Sequence, residues 1–229
     1  MQPDFFEPTE SRGQPAAPPY RRLRSDYRWQ APALAALTGL ATTPGRERQD
    51  PLEARMEVVL GIVVHGALER LAENALPEQP ARFIRESLPL WRAMAMEHEL
   101  TAEDVDRVVS ATASQLEAVL SHDEGRWVLT PREDAASELA LTGVLDGNIE
   151  NLVIDRTFTD TDTGERWIVD FKTAIPHPDV SEDTFVSTEI ARYRPQLARY
   201  GEVAAVLYDQ PIRLALYFTA LPKLVELTA

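Results

Sequence analysis

Two runs, Ile149-Glu150-Asn151-Leu152-Val153-Ile154-Asp155-Arg156-Thr157-Phe158-Thr159 and Glu165-Arg166-Trp167-Ile168-Val169-Asp170-Phe171-Lys172-Thr173, separated by Asp160-Thr161-Asp162-Thr163-Gly164, decide the fold. The flanks are rich in β-branched and aromatic residues and the middle is turn chemistry, so the runs read as antiparallel strands joined by a tight connection. Pairing around Asp162-Thr163 makes partner numbers sum to about 325, which sets Phe158 opposite Trp167 and Asp155 opposite Asp170. Side chains alternate along a strand. Asp170 and Lys172 therefore share one face, while Trp167, Val169 and Phe171 point to the other and anchor in a core.

Upstream of this hairpin, after Pro131, a further strand is expected over 137–142. Before it the period is helical. Residues 51 to about 74 begin with Pro51, suited to a first turn, and carry Val58, Val59, Leu60, Ile62, Val63, Val64, Leu68 and Leu71 with little polar face, which predicts a helix buried nearly all round. Segments 78–98 and 101–121 are amphipathic and predict solvent-facing helices over a core, the second opened by Thr101 as N-cap with Asp104 three residues on. Downstream come a loop with Pro176 and Pro178, a helix over about 190–207 and a strand over 212–218. Pro195 restricts that helix to a start only a few residues earlier. The order of helices, antiparallel strands, helix and strand predicts an α/β domain with a central mixed sheet flanked by helices and a helical N-terminal subdomain.

Residues 1–50 are a separate matter. Eight of the 17 prolines fall within residues 1–51, with no sustained apolar period, so 1–50 reads as a Pro-rich, partly basic leader or linker to a domain over 51–229. The basic, aromatic run Tyr20 to Arg28 fits either a nucleic-acid strip or a connector lying along the surface.

Composition excludes several chemistries. The 229 residues hold no cysteine, which removes disulfides, thiolate zinc sites, iron–sulfur clusters and cysteine nucleophiles. Only Lys172 and Lys223 are lysine, and neither follows a phosphate-cradling glycine loop, so no ATP is expected to bind this chain. No apolar run has the length of a membrane span and the N-terminus lacks signal-peptide character, from which a cytoplasmic location is expected. At a net charge of −14, any nucleic-acid role needs a local basic patch or bound cations. The stretch from Ile190 to Tyr200 supplies Arg192, Arg194 and Arg199 without an acid.

Two carboxylates facing each other at one sheet edge repel unless a cation or a shared proton lies between them, and hard oxygen ligands favour Mg²⁺ or Mn²⁺. With Lys172 beside them, Asp155 and Asp170 have the makings of a phosphodiester-hydrolysing site. The same spacing is met by a solvated strand face with an Asp–Lys ion pair. His65, on an apolar helix, fits a core histidine as well as a ligand. Gln196 and Tyr200, at i and i+4, meet on one helix face.

Taken together, Gly61-Ile62-Val63-Val64-His65-Gly66-Ala67-Leu68-Glu69, Ile154-Asp155-Arg156, Val169-Asp170-Phe171-Lys172-Thr173 and Gln196-Leu197-Ala198-Arg199-Tyr200 resemble, in order, the signatures of the PD-(D/E)XK nuclease superfamily. The branch they resemble is the RecB/AddA-type nuclease domain at the C-terminus of UvrD-like helicase–nucleases. The resemblance implies a restriction-endonuclease-like fold and a Mg²⁺- or Mn²⁺-dependent DNA nuclease or exonuclease. It also implies a role in DNA end processing, recombination and double-strand break repair, and a helicase motor in cis or in trans. It implies catalytic roles for Asp155, Asp170 and Lys172, metal ligation by His65, Asp155, Asp170 and the Phe171 carbonyl, and strand positioning by Gln196 and Tyr200. DNA contacts are expected from Arg192, Arg194 and Arg199. Asp146, in Gly143-Val144-Leu145-Asp146-Gly147, also fits the first acid, although Asp155 suits the hairpin better. Glu69, one turn after His65, fits either support of the histidine or a surface salt bridge. The other function class compatible with these residues is a catalytically inactive nuclease-like module that binds DNA or a helicase partner.

Overall fold

In the computed structural model, which describes residues 51–132, 134–145 and 148–227, four helices precede the sheet: α1 (Pro51–Ala72), α2 (Pro80–Met96), α3 (Ala102–Ser121) and α4 (Asp123–Leu129). Then come β1 (Ala136–Leu145), β2 (Asn148–Thr159), β3 (Arg166–Lys172), α5 (Glu182–Leu207), β4 (Ile212–Phe218) and β5 (Lys223–Glu226). The sheet order is β1-β2-β3-β4-β5. β3 and β4 run parallel and the other neighbours antiparallel, giving the expected mixed sheet. Tyr20 to Arg28 and Asp146 lie outside the described residues.

The hairpin has the expected register, with Phe158 opposite Trp167 and Arg156 opposite Val169. Gly164 closes its turn at φ 71°, a left-handed conformation in which glycine is unstrained. β3 is the central strand and is covered on both faces. Val169 and Phe171 pack with α1, α3 and α4, whereas Ile168 packs with Val186, Leu197 and Ala204 of α5. Asp170 and Lys172 thus turn toward α5 while Phe171 anchors under α1.

The helical subdomain is held by periodic burial. α1 buries Val59, Leu60, Val63, Val64, Ala67, Leu68 and Leu71 along one stripe. Its opposite side leaves Leu52, Val58 and Ile62 exposed, so it is not the helix buried all round that its composition predicts. Thr101 caps α3 as expected, its Oγ1 accepting from Asp104 N at 3.2 Å. α3 is more than a solvent-facing cover, since Val105, Val108, Thr112, Gln115, Leu116 and Val119 are all buried. The short helix α4 and strand β5 were not expected; α4 fits because Gly125 has no Cβ, which would meet Val119 O at 2.3 Å.

The start of α5 differs most from expectation. It begins at Glu182, capped by Ser181 Oγ, which accepts from Thr184 N at 3.3 Å, so Pro195 lies in its interior. Proline leaves the carbonyl four residues back without its usual donor. Ala191 and Pro195 are both exposed, so the helix continues with that carbonyl on its solvent side, where the lost donor costs least.

The β1–β2 ribbon contains one irregularity that builds the site. Ser137 pairs with Arg156 and Leu139 with Ile154, but the pair between them, Glu138 and Asp155, drops out of the ladder. Ile154 packs with the α5 layer and Phe158 with the helical layer, although residues an even number apart on a regular strand share a face. The alternation shifts by one at Glu138 and Asp155. Glu138 carries the shift in its backbone at φ 47°, a conformation that costs energy for a side chain of this kind.

Candidate functional site

Two groups of side chains meet where β2 and β3 part. The ladder between these strands ends at Arg156 and Val169. At the next position the Phe171 N–H donates to Asp155 Oδ2 at 2.7 Å. A carboxylate thus replaces a carbonyl in the sheet, and the direct opposition of Asp155 and Asp170 that the hairpin register predicts is lost from the ladder because Asp155 turns its carboxylate to the Phe171 backbone.

On the α5 side the acid is fully engaged. Asp170 is buried, its Oδ2 in direct contact with the Lys172 ammonium and its Oδ1 accepting from Gln196 Nε2 at 3.0 Å. Gln196 Nε2 also donates to Tyr200 Oη at 2.7 Å. The i,i+4 pair therefore meets as predicted and bears on Asp170. Burial, and then the Asp170 charge, push the Tyr200 phenol up to about 12, so it stays protonated at neutral pH. Lys172 Nζ lies 3.4 Å from the centre of the Tyr193 ring, a cation–π contact that holds the ammonium from a second direction.

On the α1 side His65, Asp155 and Glu138 lie close without hydrogen bonds to one another, although His65 and Asp155 each bond the Phe171 backbone. His65 Nδ1 is 3.7 Å from Asp155 Oδ1 and 3.9 Å from Glu138 Oε1, both beyond hydrogen-bond range. One ligand atom from each of His65, Glu138 and Asp155 lies within 4.8 Å of the others. Burial lowers the His65 pKa, outweighing the opposing pull of Asp170 and Glu138, so the imidazole is neutral at pH 7 and keeps a lone pair. Burial first and the Asp170 charge second push Asp155 up to about 8, against the Phe171 N–H and Lys172, which favour its ionised form. An imidazole nitrogen and two carboxylates at this spacing fit a divalent cation, whose charge removes the reason for Asp155 to hold a proton.

The structure brings His65, Asp155, Asp170, Lys172, Phe171, Gln196 and Tyr200 together around one point. Within that set it separates the acids: Asp155 faces His65, and Asp170 is held by Lys172 and Gln196. Glu138 joins His65 and Asp155, a residue the sequence reading passed over. The signal was available in Asp146-Gly147, a dipeptide typical of a two-residue hairpin. Folding the chain there puts Glu138 opposite Asp155, a pairing that the reading of Asp146 as a candidate acid hides. Among the described residues, the acids that approach His65 to 3.9 Å or less are Glu138 and Asp155, and not Glu69.

Arg192, Arg194 and Arg199 stand at exposed positions of α5. The patch is less basic than an acid-free window suggests, because Glu189, just before it and buried, approaches Arg192 Nη1 to 3.6 Å. Among the described residues no helix is long and apolar enough to cross a membrane.

Residues 23–227 match the sequence model of the PD-(D/E)XK nuclease superfamily. A comparison with curated proteins gives no match.

Proposed function

The chain belongs to the PD-(D/E)XK nuclease superfamily, and from that premise we propose that residues 51–229 act as a Mg²⁺- or Mn²⁺-dependent deoxyribonuclease domain. The observation that carries this reading is the juxtaposition of His65, Glu138 and Asp155, spaced to share a cation, with the buried Asp170–Lys172 pair. A mixed sheet flanked by helices, the restriction-endonuclease-like core, positions both groups.

In this reading His65, Glu138 and Asp155 hold the metal, with Asp170 and the Phe171 carbonyl beside them. A divalent cation bound there supplies charge to a phosphate oxygen and lowers the pKa of a water. The protein's own groups do the remainder. Lys172, pinned between Asp170 and the Tyr193 ring, presents a fixed positive charge toward the phosphate being cleaved. Gln196 and Tyr200 keep the Asp170 carboxylate from rotating, so Lys172 does not drift. Arg192, Arg194 and Arg199 offer phosphate contacts along α5.

The RecB/AddA-type branch is part of the proposal, supported by the histidine-bearing helix α1 and by the Gln196–Tyr200 pair acting on Asp170. With it go DNA end processing in break repair and recombination, a helicase motor in cis or in trans, no ATP bound by this chain, and a cytoplasmic setting. The test is a cleavage assay on labelled single- and double-stranded DNA with Mg²⁺, with Mn²⁺ and with chelator. Cleavage in either metal that chelator abolishes and Asp170→Ala removes is the expected result. DNA binding without cleavage in both metals would instead favour the inactive nuclease-like module.

A further inference from the structure

One residue along each strand from Asp155 and Glu138 lies a pocket of about 370 Å³, lined among others by Ala72, Glu73, Pro131, Arg132, Ser137 and Arg156. α1 connects it to the metal group, since His65 and Ala72 are about 10 Å apart along a helix rising 1.5 Å per residue. Its charge is unusual for so acidic a chain. Arg156 is 2% exposed, yet its hydrogen-bond acceptors are all neutral: Val128 O at 3.2 Å, Thr130 O at 3.0 Å and Ser137 Oγ at 3.2 Å. Arg132 donates to Thr130 O at 3.1 Å and Trp127 O at 2.9 Å, with its guanidinium 4.0 Å from the centre of the Phe158 ring. The acid in the lining, Glu73, is exposed to solvent.

A buried guanidinium beside a second one, with carbonyls and a hydroxyl for partners, leaves positive charge that a neutral acceptor does not cancel. Burial, then the charges of Arg132 and Arg166, bring Arg156 down to about 10, so it remains cationic at neutral pH. Arg166 bonds Asp134 directly at 2.8 Å, whereas Asp134 and Asp160 reach Arg132, and Asp134 reaches Arg156, only through space, so neither of these two guanidiniums has a carboxylate bonded to it. Each guanidinium has five N–H donors, more than the contacts above use. The opening beside them suits an anion that is small, oxygen-rich and strongly charged.

We propose that this pocket is a phosphate subsite in which Arg132 and Arg156 hold a phosphate of the substrate strand next to the one being cleaved. The inference rests on the nuclease reading for its ligand but not for its chemistry. The phosphate is either an internal diester or a terminal monoester, and both have the charge and oxygens the pocket requires.

The test measures binding of the full-length protein, in chelator, to fluorescent single-stranded thymidine 12-mers bearing a 5′-phosphate, a 3′-phosphate or no terminal phosphate. Arg132→Gln, and separately Ser137→Asp, which gives Arg156 a carboxylate of its own, should each weaken binding about tenfold and flatten its salt dependence by about one contact. Arg132→Lys should retain most of the affinity. Loss on all three oligonucleotides identifies an internal phosphate, and loss confined to one phosphorylated form identifies that end. Both variants binding every oligonucleotide like the parent, with unchanged melting temperature, overturns the subsite. If the parent cleaves nothing with either metal while both variants lose binding, the subsite stands and the nuclease reading falls. Cleavage by the parent with binding intact in both variants removes the subsite alone.

Discussion

The α5 half and the α1 half of the site are built from the same chemistry and are satisfied to different degrees. Around Asp170 the contacts are short: Gln196 at 3.0 Å, its bond to Tyr200 at 2.7 Å, and Lys172 directly on the carboxylate. Around His65 the nearest carboxylate oxygens stand off at 3.7 and 3.9 Å, and Glu138 occupies a strained backbone conformation to be there. A buried network with its polar groups paired is rigid, whereas acids and an imidazole that make no hydrogen bonds to one another retain affinity for something else. One half is held in a fixed geometry, and the other has the spacing to accept a cation.

That contrast breaks most visibly at Lys172. Lys172→Ala should lower cleavage by about 10²-fold or more while leaving metal affinity close to the parent's, because the charge it removes acts on the phosphate. Equal losses of metal affinity and turnover would mean that the halves are a single binding site. On the other half, His65→Ala and Glu138→Gln should each weaken metal binding by about tenfold or more, with much of the activity restored at saturating Mn²⁺. A His65→Ala protein that melts earlier yet titrates metal like the parent would make the histidine a packing residue.

The pH dependence sharpens the same division. The folded protein holds a proton on Asp155 up to about pH 8, while the unfolded chain releases it near the ordinary aspartate value of 3.8. Between those values the folded state binds more protons than the unfolded, so this group's contribution to stability falls as pH rises and levels off above about 8. In chelator, melting temperature measured from pH 4.5 to 8.5 should decline more in the parent than in Asp155→Asn. Saturating Mn²⁺ should remove the difference in slope, since the metal displaces the proton. Identical slopes for parent and variant in chelator would show that Asp155 is ionised throughout.

The smallest effect is expected where the α5 half is redundant. Tyr200→Phe deletes the hydroxyl that accepts from Gln196 but leaves the Gln196–Asp170 bond, so cleavage should fall only by about threefold to tenfold. A loss as large as that of Lys172→Ala would show that the phenol touches the reacting strand and does not merely steady Asp170.

The two halves also differ in how far the sequence revealed them. The β2–β3 hairpin, the Thr101 cap and the Gln196–Tyr200 pair follow from rules spanning a few residues: strand alternation, side-chain capping and the helical i,i+4 repeat. They placed Asp170, Lys172, Gln196 and Tyr200 correctly relative to their own elements. Local rules failed where solvent or distant packing decides. The interior position of Pro195 depends on the exposure of α5 around Ala191, and Val58 and Ile62 on the open side of α1 are as apolar as the residues on its buried side.

By itself, then, the sequence determined the strand carrying Asp170 and Lys172, the neighbouring strand carrying Asp155 and the helix face on which Gln196 and Tyr200 meet, since backbone geometry fixes these over short separations. Only the tertiary structure decided that Glu138 joins His65 and Asp155, and that Arg156 faces a pocket instead of a carboxylate. Both depend on the shift of side-chain alternation at Glu138 and on α1 lying across the sheet, and neither a strand's period nor a helix's encodes where another element will pack.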